Sequence, residues 1–133
     1  MARASRPLLP RVHPPALSVV LLATGYLALG LVSLALWQTA PALDTMLGRH
    51  HIAGALANLA LVLLGMSIVA GPYRRGDQWA HWVQWIPLLA YGVPILCIDG
   101  YHVGWRTETT AINAALLAPF VLGLLWDRRN RRI

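Results

Sequence analysis

The chain has 133 residues, 57% of them apolar and only 12% charged, with a net charge of +6. Soluble domains are about 45–50% apolar and about 25% charged. Too few charges are available here to clothe a soluble fold of this length. One cysteine, Cys97, excludes a disulfide framework and a Cys-rich metal site, and no length is left for a second sizeable domain.

Residues 1–14 hold three prolines and three arginines and read as a basic cytoplasmic tail. The first apolar run, 16–37, carries no charge. A signal-peptide core is about 7–15 residues. This run has 22, so it reads as a retained helix. Further spans are expected at about 52–70, 79–98 and 109–126. The uncharged part of the fourth, Ala111 to Trp126, has 16 residues. It covers only about 24 Å and needs Thr109 and Thr110, or a thinned bilayer, to cross. Residues 128–133 form a second basic tail. The fold expected for 15–127 is all-α: an integral membrane bundle of four transmembrane helices, up-down-up-down.

All eleven basic residues are arginines. Nine of them (Arg3, Arg6, Arg11, Arg74, Arg75, Arg128, Arg129, Arg131, Arg132) fall on one side of the four spans, with Asp77 and Asp127. Arg49 and Arg106 fall on the other, with Asp44, Asp99 and Glu108. The sides carry +7 and −1. Under the positive-inside rule both termini are cytoplasmic, which places the chain in the cell's inner membrane. Trp37 and Trp105 then mark the outer interface, and Trp79, Trp82 and Trp126 the inner one. The basic clusters point to anionic headgroups as partners and not to nucleic acid, since no separate basic domain exists.

Lipid tails are as apolar as leucine, so small residues and interhelical hydrogen bonds must hold the bundle. Gly25, Gly30 and Ser33 in the first span and Ala53, Gly54, Ala57 and Asn58 in the second allow close approach. Asn58, Gln84, Tyr91 and Asn113 are the expected polar contacts between helices. Pro87, Pro94 and Pro119 predict bends. In the third span His81, Gln84, Leu88, Tyr91, Ile95, Asp99 and His102 recur at steps of three or four and share one face. His81 reads as interfacial, and Cys97 as a buried small apolar residue.

The chemistry-bearing residues gather at the outer ends. His50 and His51 begin the second span, Asp99 and His102 end the third, and Asp44 and Glu108 lie in the outer loops. Imidazole and carboxylate are ligands for zinc, iron, copper or nickel. A metal site on His50, His51, Asp99 and His102, a haem or quinone site on His50, His51 and His102, and proton or pH coupling through these histidines are the functional alternatives. The other account is hydrated helix ends paired with headgroups. No phosphate loop, GxSxG, HExxH or CxxC is present, and no span carries a mid-membrane charge.

The turn Tyr73-Arg74-Arg75-Gly76-Asp77-Gln78-Trp79-Ala80-His81-Trp82 leads into a proline-bearing helix that ends in Asp99. In this the stretch from Arg49 to Gly104 resembles small bacterial four-helix membrane proteins of the DoxX-like group. The resemblance implies a four-helix fold and a membrane location. Arg74, Arg75, Trp79 and Trp82 read as a lipid-anchoring turn. The leading functional expectation is a non-enzymatic scaffold or accessory subunit, in a homo-oligomer or a larger membrane complex. Its alternatives are a redox or metal protein using the outer cluster, or a small transporter whose cavity is lined by Asn58, Tyr91 and Asn113.

Overall fold

A computed structural model describes residues 12–105 and 107–130; the side chains of Asp99 and Val103 are outside that description. Helices α1 (Ala16–Gln38) and α2 (Met46–Ile68) are regular, and a π-helical turn, Val69–Tyr73, continues α2. The third span is made of pieces: α3 (Gln78–Val83), α4 (Trp85–Pro87), a π turn (Leu88–Gly92), α5 (Val93–Asp99) and a last π turn (Gly100–Gly104). Helix α6 (Glu108–Asn130) closes the fold. The described residues form four helices long and apolar enough to cross a membrane: Ala16–Gln38, Met46–Tyr73, Gln78–His102 and Glu108–Asn130.

Helix ends differ from the apolar runs for local reasons. Thr45 caps α2: its hydroxyl accepts from the Gly48 amide at 3.0 Å. The cap satisfies a donor that the first turn would otherwise leave open. The helix therefore starts at Met46, six residues before the expected 52, and His50 and His51 lie within it. At the other end α6 runs to Asn130, past the expected 126. Its 23 residues cover about 35 Å, and Thr109 and Thr110 are part of the helix.

Proline explains the third span. Pro87 lacks the N–H of a regular ladder and its ring crowds the preceding turn. The chain widens into the π turn directly after it. Pro72 lies inside the π turn after α2 in the same way. Pro119, also expected to disturb its helix, sits inside α6 without interrupting it. The 74–76 turn is closed by Gly76, whose φ of +79° favours glycine and where a Cβ would run into the Val12 carbonyl. His13 Nδ1 meets the Arg74 carbonyl at 3.3 Å, fastening the segment before α1 to this turn.

Helix α1 lies between α2 and α6. Against α6, Gly25 faces the Phe120 ring, and Gly123 receives the backbone and side chains of Ser18, Leu21 and Leu22. Tyr26 meets Phe120 edge-on, centroids 4.8 Å apart. Against α2, the Tyr26 ring lies on Gly65, and Val62 fits beside Gly30. This is the small-residue packing expected where apolar burial gives no drive. The buried cluster also includes Leu22, Val69, Tyr73, Leu88 and Leu124. Many large apolar side chains instead face outward, among them Leu31, Leu63, Leu64 and Leu89. That inside-out distribution is what a lipid-facing bundle needs.

Candidate functional site

Two places gather polar side chains. One is a buried seam near the end that holds the 74–76 turn. His81 Nδ1 lies 2.7 Å from Asp127 Oδ2, and both side chains are buried. The indole of Trp85 donates to His81 Nε2 at 3.3 Å. An indole N–H can only donate, so Nε2 accepts and the ring proton sits on Nδ1, aimed at the carboxylate. The imidazole thus ties an acidic group from α6 to the third span. Three residues beyond His81, Gln84 Oε1 accepts the hydroxyl proton of Tyr26 at 2.6 Å. The Gln84 amide donates onward to the Gly65 carbonyl at 3.5 Å. Three spans meet in that short chain of bonds.

Gln84 is a polar contact between helices, as its position on the stripe predicts. His81 corrects its expected place: it is 3% exposed, not interfacial. Asp127 likewise is fully buried and not a solvated loop charge. The two are 46 residues apart, and the pairing leaves no local motif. A usable signal lies in α6 itself. Phe120, Gly123, Leu124 and Asp127 recur at helical spacing on the face toward α1, which makes Asp127 an inward residue. Cys97 corrects its expectation in the opposite sense: it is exposed.

The second place is a cleft of about 270 Å³ beside α2, lined by His50, His51, Gly54, Ala57, Asn58 and Tyr91. Asn58 is 7% exposed. Its expected hydrogen bond to another helix is not made among the described residues. Tyr91 also borders a central apolar cavity of about 30 Å³, bounded further by Leu61, Pro87, Leu117 and Phe120. Such a lining keeps so small a space dry. Asn113 is half-buried and borders neither space.

His102 is exposed on the last π turn, its ring edge-on to Tyr101 at 5.1 Å. The inward stripe of the third span therefore stops before it. The side chain of Asp99 lies outside the described residues. Among those described, no three His, Cys, Asp or Glu side chains come together as a metal would need. Glu108 opens α6 and is exposed, as is Asp44 in its loop. In the 74–82 turn Arg74, Arg75, Trp79 and Trp82 are all exposed, and Arg75 lies 3.8 Å from Asp77. Cations and indoles are thus turned outward together on this turn.

No protein-family model, no curated protein and no solved structure matches the chain.

Proposed function

We propose that the chain is a small multi-pass protein of the cell's inner membrane, a non-enzymatic scaffold or accessory subunit of a homo-oligomer or larger complex. The observation that carries this reading is the outer face of α6. Ala111, Ala114, Ala115 and Ala118 are all exposed there. Over this first half of α6, before Leu122 and Leu125 continue the face, small side chains let another helix come close, the main source of association within a bilayer. The buried polar side chains support the same reading. His81, Asp127, Gln84 and Tyr26 are engaged in ties between spans, which makes for a rigid body.

In this reading both termini are cytoplasmic, on the strength of +7 against −1 across the spans. Arg74 and Arg75 face anionic headgroups there, and the likeness of the 73–82 turn to DoxX-like proteins agrees with that location. Native mass after extraction in mild detergent tests the assembly. A species larger than the monomer is expected, and Ala115→Leu should dissociate it. A strictly monomeric particle without partner chains would overturn the reading.

A further inference from the structure

The cleft beside α2 goes beyond a scaffold role. Along α2 the residues His51, Gly54, Asn58, Leu61, Gly65 and Ile68 succeed one another at steps of three and four, and every one borders open space. The stripe covers about 26 Å of helix. Its first third carries the polar side chains His50, His51, Asn58 and Tyr91, set in a wall that is otherwise apolar, with Leu36, Ala55 and Ala57. Its remainder is a second cleft of about 160 Å³, walled by Leu61, Leu64, Ile68, Val83, Ile86 and Pro87. Tyr91 is common to the polar cleft and the central cavity, and Leu61 and Pro87 to the central cavity and the apolar cleft. The three spaces thus follow one another along the line where α2 faces the third span.

The polar third is not self-sufficient. Asn58 is more than nine-tenths buried, yet its amide has no side-chain hydrogen bond among the described residues. The Tyr91 hydroxyl has none either. The Asn58 amide is not among the fully enclosed polar atoms and so opens to the cleft, where bilayer lipid tails offer it no partner. No arginine among the described residues borders the cleft, so its recognition groups are amide, phenol and imidazole. We infer that this cleft binds a neutral amphiphile from the membrane, with a carbonyl-bearing head between Asn58 and Tyr91 and a prenyl or acyl tail along the apolar wall. A carbonyl oxygen accepts from both the amide and the phenol. The histidines at the mouth contact the more hydrated edge of the head.

Two kinds of membrane molecule share that chemistry, prenylated quinones and diacylglycerols. The full chain in mild detergent is titrated with a decyl-substituted benzoquinone and, separately, with dioctanoylglycerol, and heat release is followed. Dioctanoyl phosphatidylglycerol is the anionic control. Saturable binding of either neutral probe is expected, and the tighter of the two identifies the source. Asn58→Leu should weaken it by about tenfold and Tyr91→Phe by about fivefold, in keeping with lost hydrogen bonds. Ser67→Ala, on an exposed hydroxyl that bonds its own helix, should leave it unchanged. A Cβ at position 54 meets nothing within 4 Å, so Gly54→Leu enters the cleft without straining the fold. It should block binding while the melting temperature stays near that of the wild type. No saturable binding of a neutral probe, equal or tighter binding of phosphatidylglycerol, or unchanged affinity in Gly54→Leu would overturn the inference. So would a Gly54→Cys disulfide dimer formed while no probe binds, since a second helix would then fill the cleft.

Discussion

Asp127 shows most sharply what single residues do here. A carboxylate in a low-dielectric interior must be hydrogen-bonded, and His81 supplies a bond of 2.7 Å. Loss of a hydrogen bond to a charged group costs about 1.5–3 kcal/mol. His81→Leu should therefore lower the melting temperature in detergent clearly. Trp85→Phe, which removes only a neutral donor, should cost about 1 kcal/mol. Equal effects of the two would show that the carboxylate relies on other contacts. Gly65→Ala tests the neighbouring tie. Its methyl would run into the Tyr26 ring and push the hydroxyl off Gln84. The expected result is a stability loss at least as large as that of Tyr26→Phe, read by thermal unfolding of both variants. These residues were hard to foresee. Composition flags polar groups in a span, but azimuth decides their partners, and azimuth comes from packing of helices distant in sequence. His81 and Asp127 each sit beside charged turns, so their local surroundings look hydrated.

At the level of elements, apolar runs located all four spans, because crossing hydrocarbon demands continuous apolar length. They missed the ends, which are set by capping and not by hydropathy. Six residues of α2, Met46 to His51, precede the apolar run and are helical because Thr45 caps them. Thr45→Ala should cost about 1 kcal/mol. Amide exchange should accelerate at Gly48 and its neighbours while that of the 62–68 segment stays unchanged. Faster exchange throughout α2 would mean that the cap is not a local device. The third span has the lowest mean hydropathy of the four, 1.4, and is divided by π turns. Its prolines were legible as breaks. The response, widening after Pro87 but continuity through Pro119, depends on which neighbours accept the freed carbonyls.

For the whole molecule, the asymmetry of charge predicts how it lies in the bilayer. In a Cys97→Ser background, a cysteine placed at Ala42 should react with a membrane-impermeant maleimide applied to intact cells. One at Gln78 should react only after lysis. The reverse pattern would overturn the proposed orientation. The fold class was legible because bilayer thickness and helix geometry leave few solutions for four apolar runs with short connections. The candidate cleft was legible only as separate residues. Asn58 and Tyr91 stand out on their own helices, but nothing local says that α2 and the third span leave room between them.

The ties on the third span also impose an order in time. Tyr26, the partner of Gln84, is made 58 residues earlier and is already in place when the third span emerges. Asp127, the partner of His81, is made 46 residues later. At about 5–20 residues per second, the ribosome takes roughly 2–9 s to supply it. During that interval the least apolar span must remain in or beside the membrane with one polar anchor formed and one pending. A chain truncated ahead of Asp127 would keep the earlier of these two ties and lack the later one.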